Sequence, residues 1–74
     1  MAKILVVEDD IDLCNSLQDL LHMEHYLVDT ANTGKQALEH LQFSSYDLIV
    51  LDWNLPDMQG VDICKQFRDR KSVV

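Results

Sequence analysis

Two four-residue runs of unbroken aliphatic side chains, Ile4-Leu5-Val6-Val7 and Leu48-Ile49-Val50-Leu51, constrain this chain more than anything else in it. A strand with one wet face alternates apolar and polar residues. A run without alternation suits a strand covered on both faces, as in a parallel sheet lying between helices. A third segment, about Tyr26 to Ala31, is interrupted by Asp29 and Thr30 and fits the edge of such a sheet.

Helical periodicity fills the intervals. Leu13, Leu17, Leu20 and Leu21 recur at i, i+4, i+7 and i+8, which predicts an amphipathic helix with Asp10 or Asp12 as its N-cap. A second helix is expected from about Thr33 to Gln42, capped by Asn32 or Thr33, with Ala37, Leu38 and Leu41 turned inward. A third is expected from about Gly60 to Arg70, with Ile63, Cys64 and Phe67 inward. Its Lys65, Arg68, Arg70 and Lys71 crowd the C-terminal end, where the helix dipole favours cations. The order β-α-β-α-β-α predicts an α/β fold in one domain, residues 1–74, with right-handed crossovers. In a flavodoxin-like sheet the first and third strands are neighbours, giving the spatial order 2-1-3.

Charge and composition exclude several classes. The chain has 74 residues and a net charge of −7. Twelve of its thirteen acids lie in residues 1–64 against two bases, Lys3 and Lys35. That acidic body argues against nucleic-acid binding by phosphate neutralisation, and it fits a protein that holds a cation or meets a basic partner. A 47% hydrophobic content excludes disorder. No apolar run approaches the ~18–20 residues of a membrane span, and the N-terminus lacks a signal-peptide core, so a cytoplasmic protein is expected. Cys14 and Cys64 are fifty positions apart and sit among apolar residues, which reads as two buried, reduced side chains.

Ligands in open α/β sheets bind beyond the carboxyl ends of the strands. There the first strand is followed by Glu8-Asp9-Asp10 and the third by Asp52. Singly, each acid is explained as a helix cap or a strand end, and for Asp10 capping suffices. With the two strands ~4.8 Å apart, however, Glu8, Asp9 and Asp52 converge. Two such charges ~5 Å apart repel by about 3 kcal/mol at an effective dielectric of 20. The cluster must protonate, spread or hold a cation. An all-oxygen site with an open side suits Mg²⁺, which keeps waters and accepts phosphate oxygens. A carboxylate beside it can attack a phosphoryl donor to give an acyl phosphate.

At these residues the chain resembles the receiver domain of two-component response regulators. The likeness is carried by Ile4-Leu5-Val6-Val7-Glu8-Asp9-Asp10 and by the segment Asp47-Leu48-Ile49-Val50-Leu51-Asp52-Trp53-Asn54-Leu55-Pro56-Asp57-Met58-Gln59-Gly60. It implies that Asp52 takes a phosphoryl group from a histidine kinase's phosphohistidine. It also implies Glu8 and Asp9 as the acid pair, and Mg²⁺ held by Asp9, Asp52 and the backbone carbonyl of Asn54. Pro56 and Gly60 match the loop that follows the acceptor.

The family fold has five βα units, and only three are present in these 74 residues. The Ser or Thr that binds the phosphoryl group and the Lys that pairs with it have no counterpart; Lys71 and Ser72 have the chemistry but read as a solvated helix end. Impaired phosphorylation and switching are therefore expected of these residues alone. The third strand, central in the family fold, would become an apolar edge, with Val73 and Val74 too short to cover it. Such an edge recruits another chain, so a homodimer is expected through antiparallel third strands, in the order 2-1-3-3′-1′-2′. Two other readings stay open: a metal-dependent phosphohydrolase of another α/β family, although Asn54 stands where that class wants a second acid, and a non-catalytic dimerisation fragment. The leading reading is a signalling module and not an enzyme. Among lesser candidates, His22 and His25 lack the further ligands of a zinc site, His40 reads as a surface residue, and Trp53 reads as packing near the metal loop.

Overall fold

Alternate residues of the first aliphatic run point to opposite faces of the sheet, and each face finds its own core. The computed structural model describes residues 1–70, with side chains through Arg68. Its elements are β1 (Lys3–Val7), α1 (Ile11–Met23), β2 (Leu27–Ala31), α2 (Gly34–Phe43), β3 (Leu48–Leu51) and α3 (Gly60–Arg70). Ile4 and Val6 pack with Cys14 of α1, flanked by Leu17, Leu21, Val28 and Val50. Leu5 and Val7 pack on the other side with Ala37 and Leu41 of α2, Ile63 and Phe67 of α3, and Tyr46. That two-sided burial explains why the run carries no polar residue. The expectations for Lys71, Ser72, Val73 and Val74, and for the side chain of Arg70, lie outside the described residues.

The sheet order is β2-β1-β3, with both pairings parallel. Val7 is in register with Ala31 on one side and Leu51 on the other, so the three strands reach their carboxyl ends together. Each chain then continues the ladder by one bond: Glu8 N–H donates to Ala31 O (3.0 Å) and Asp52 N–H to Val7 O (3.0 Å). The expected fold class and strand order are both observed.

Several local expectations are corrected. Leu13 and Leu20 are 47% and 59% exposed. The face of α1 against the sheet is Cys14, Leu17 and Leu21, at i, i+3 and i+7. Leu13 and Leu20 each lie one residue, roughly 100°, around the helix from it. Cys64 is half-buried where two buried cysteines were expected, because Ile63 and Phe67 (i, i+4) take the inward line of α3. Strand β2 begins at Leu27 and not Tyr26, since residues 24–26 close α1. His25 N–H donates to His22 O (2.9 Å) and Tyr26 N–H to Leu21 O (3.2 Å), with His25 at φ 66°. This is the paired bonding of a Schellman ending, with His25 in the left-handed position usually given to glycine. In β3, Leu48 is 52% exposed and the other three residues are half-buried, so only the run in β1 is fully covered. The cause is position, since β3 is an edge of the sheet among the described residues.

At the amino end of the strands a polar cluster ties β1, β2 and α2 to the segment that precedes β3. Tyr46, 2% exposed, donates its hydroxyl hydrogen to Asp29 Oδ2 (2.6 Å), and His40 Nδ1 stands 3.3 Å from the same hydroxyl oxygen. The Lys3 ammonium lies 3.7 Å from Asp29 and 5.1 Å from the centre of the Tyr46 ring. His40, expected on the surface, is therefore half-buried against Tyr46. Lys3 and Asp47 also exchange two bonds, Asp47 N–H to Lys3 O and Lys3 N–H to Asp47 Oδ2, both 2.8 Å.

Candidate functional site

The carboxyl ends of β1 and β3 deliver three acids to one place. Oxygen atoms of Glu8, Asp9 and Asp52 lie within 4.8 Å of one another. Glu8 and Asp52 are half-buried and Asp9 is exposed, so the group opens to solvent on one side. Because Val7 and Leu51 are register partners, Glu8 and Asp52 are the next pair along the two strands.

Each acid is held differently. Glu8 Oε1 accepts from Asp10 N–H (3.2 Å), and its backbone oxygen accepts from Asn32 Nδ2 (2.9 Å). Burial pushes the Glu8 carboxyl above its ordinary range; the Asp10 amide opposes this, and the charges of Asp52, Asp9 and Asp10 add to it. Asp52 Oδ1 accepts from Asn54 N–H (3.1 Å), which fixes its orientation. Asp10 turns away, as capping predicts: its Oδ1 accepts from Leu13 N–H (3.1 Å) at the start of α1.

The segment after Asp52 is a closed loop. Asn54 and Gln59 form an antiparallel bridge, and Gly60 N–H donates to Trp53 O (3.1 Å). A Cβ on Gly60 would stand 2.8 Å from Trp53 Cα and 3.1 Å from Asp52 O, so only glycine lets the loop shut against its own base. Leu55 and Met58 pack onto the core shared by α2 and α3. Trp53 is 58% exposed beside the acids, where it can report on them.

The donor set fits Mg²⁺ on its chemistry. All three side chains offer hard carboxylate oxygens. Oxygens on opposite sides of an octahedral ion at ~2.1 Å per bond stand ~4.2 Å apart, which falls inside the 4.8 Å that bounds this cluster. Asn54 enters the site through its amide contact with Asp52. Among the described residues, His22 and His25 join no group of three possible metal ligands, and both are exposed on or just after α1.

Comparison with known proteins identifies the family. Residues 4–74 match the model of the response regulator receiver domain, and the chain belongs to that family. Among curated relatives, the response regulator ArlR of Staphylococcus saprophyticus is 42% identical over 72 residues, covering 97% of this chain and 33% of that protein. The CpxR homolog of Haemophilus influenzae is 41% identical over 73 residues, covering 99% of this chain and 32% of the relative. This chain thus spans about a third of the length of these relatives. Among solved structures, TrrA of Thermotoga maritima, in complex with Mg²⁺-BeF, superposes with a TM-score of 0.88 at 35% identity, over 96% of this chain and 62% of that one. The HemR receiver domain of Leptospira biflexa gives 0.88 at 34% identity, over 96% and 57%.

Two residues that shape the site are not apparent from the sequence. Asn32 reads there only as a helix cap, yet its side chain reaches back to the Glu8 carbonyl. Asp57 reads only as a member of a motif; it accepts from the first amides of α2, Gly34 N–H (2.7 Å) and Lys35 N–H (2.9 Å). A signal for Asn32 does exist, because it follows a strand that ends beside the acids. Nothing local marks Asp57, since its partners lie more than twenty residues away.

Proposed function

We propose that this chain is a phosphoacceptor module of a two-component phosphorelay, with Asp52 receiving a phosphoryl group from the phosphohistidine of a histidine kinase. The observation that supports this best is the gathering of Glu8, Asp9 and Asp52 at the carboxyl ends of adjacent strands. A carboxylate oxygen of Asp52 attacks phosphorus, the P–N bond to the donor imidazole breaks, and the imidazole nitrogen leaves with the electron pair and takes up a proton. Glu8, Asp9, Asp52 and the backbone carbonyl of Asn54 would hold Mg²⁺. When bound, the ion supplies positive charge to the transferring group and to the acids around it. The Asn54 amide keeps Asp52 in one orientation for the donor. Asp52 is consumed once per transfer, so the module is a carrier of the phosphoryl group and not a turnover catalyst.

A phosphorelay acceptor of this kind works in the cytoplasm. No helix among the described residues is long and apolar enough to cross a membrane. Its acidic body, with two bases against twelve acids in residues 1–64, disfavours binding through nucleic-acid phosphates. Incubation with acetyl phosphate and Mg²⁺, followed by intact mass, tests the proposal. One added HPO₃ mapping to Asp52 is the expected result. Continuous release of inorganic phosphate would favour a hydrolase, and no adduct at any Mg²⁺ concentration would favour a binding fragment.

The free edge of β3 bears on partners. It is apolar, with Leu48 half-exposed, and pairs with no other strand among the described residues. We infer that the 74-residue chain forms a two-fold dimer through antiparallel β3 strands, the isologous arrangement such an edge permits. Light scattering at micromolar concentration should return twice the chain mass. A folded monomer would overturn this and turn attention to the part of the relatives that this chain does not span.

A further inference from the structure

The loop carrying Asp52 and Asn54 is shut at its base by Gly60, but its tip is held by a different element. Both oxygens of Asp57 are engaged, Oδ1 by Gly34 N–H (2.7 Å) and Oδ2 by Lys35 N–H (2.9 Å). These are two of the unpaired amides that open α2, and the bonds hold the Asp57 carboxyl below its usual range. Loop and helix lie close here: a Cβ on Gly34 would stand 2.2 Å from Met58 Cγ and 2.5 Å from its sulfur, so the Met58 side chain would have to shift. The start of α2 is itself fastened to the acid pair. Asn32, two residues before Gly34, donates from Nδ2 to the Glu8 carbonyl (2.9 Å), and its N–H donates to Gln36 Oε1 (2.9 Å) within α2.

These bonds form one circuit. It runs from Asp52 through Asn54 and the loop to Asp57, across to Gly34 and Lys35, and back through Asn32 to Glu8. We propose that Asp57 is a positioning residue for the acidic pocket: it latches the tip of the β3–α3 loop to the start of α2, and so sets Asn54 and Asp52 at a fixed distance from Glu8 and Asp9. This rests on the metal reading given above and extends it to a residue that touches neither the ion nor the phosphoryl group. Groups hydrogen-bonded directly to metal ligands change affinity by ~10–100-fold when removed; Asp57 acts through the loop and α2 and touches no ligand, so the lower end of that range is expected.

The test compares Asp57→Ala, Asp57→Asn and Thr33→Ala. Thr33 caps the same helix through Gln36 N–H (3.1 Å), a bond made within the start of α2 and not to the loop. Titration with Mg²⁺, read by Trp53 fluorescence, should show affinity about tenfold weaker in Asp57→Ala. The loss should be smaller in Asp57→Asn, which keeps one acceptor oxygen, and absent in Thr33→Ala. Equal losses in Asp57→Ala and Asp57→Asn would make the effect one of charge and overturn the latch. A loss in Thr33→Ala equal to that in Asp57→Ala would make it one of helix fraying and overturn the latch as well. A readout without metal separates this inference from the one beneath it. In ¹⁵N spectra of the ion-free chain, the Asn54 amide should move in Asp57→Ala and stay in Thr33→Ala. If it does move while the wild-type chain ignores Mg²⁺, the metal reading falls and the latch stands as the device that orders the loop. If it does not move, the latch falls whatever the ion does.

Discussion

Replacing Asp52 by Asn is expected to abolish the HPO₃ adduct while leaving the fold intact or slightly more stable. The variant loses the nucleophilic carboxylate at the end of β3, so donor concentration cannot restore the product. The amide oxygen of Asn can still accept from Asn54 N–H, which keeps the loop in place. Mg²⁺ affinity should fall by at least about tenfold, since the count of charged oxygens sets binding at such sites. In metal-free buffer the sign reverses for stability. One of three crowded negative charges is gone, and relief of a partly solvated repulsion is worth up to about 1 kcal/mol. Thermal melts with and without Mg²⁺ check both signs in one experiment. A variant that loses stability equally in both conditions would show that Asp52 is structural and nothing more.

Tyr46→Ala should have the largest effect on stability. The ring is 2% exposed in the core between the sheet, α2 and α3, and truncating a buried aromatic costs about 3–5 kcal/mol. A domain of this length has only about 4–11 kcal/mol in all, so the variant should lose a large share of its stability, read by circular dichroism as a much lower urea midpoint and melting temperature. Tyr46→Phe keeps the ring and loses the bond to Asp29, at about 1–2 kcal/mol. It should also change the response to alkali. Burial, the hydrogen bond to Asp29 and that carboxylate's charge all raise the Tyr46 pKa above its ordinary value of 10.0. Below that value the phenol is neutral in both folded and unfolded chains, and its contribution is fully present. Above it the unfolded chain ionises first, and stability falls by about 1.4 kcal/mol per pH unit. Burial also raises the Cys14 thiol from its ordinary 9.0, so urea midpoints measured across pH 10 should decline in wild type and decline less steeply in Tyr46→Phe.

The two aliphatic runs make the sheet legible, because continuous apolar strands force helices onto both faces. Once the strands are placed, their ends place the acids. The edge character of β2 can be read from Asp29 and Thr30, although not that Asp29 is the acceptor for Tyr46. Helix faces are less legible. Four leucines in α1 suggest a wide apolar stripe, and the sheet selects only the line through Cys14, Leu17 and Leu21. A single residue of phase decides between them, and leucine content does not carry that phase. His25 is hidden for a similar reason: its left-handed conformation follows from how α1 ends and not from any preference of histidine. The contacts of Asn32 and Asp57 join residues more than twenty positions apart, which no local periodicity encodes.

The pocket draws its oxygens from residues 8, 9 and 52, at the ends of strands that become neighbours only after two helical crossovers have closed. A divalent ion seated there would act as a cross-link between distant parts of the chain, present in the native state and absent from the unfolded one. At a hundred times its dissociation constant such an ion adds about 2.7 kcal/mol, a large share of what a domain this small can muster. Cellular magnesium would then set not only whether the aspartate reacts but how long the polypeptide survives proteolysis between encounters with its donor.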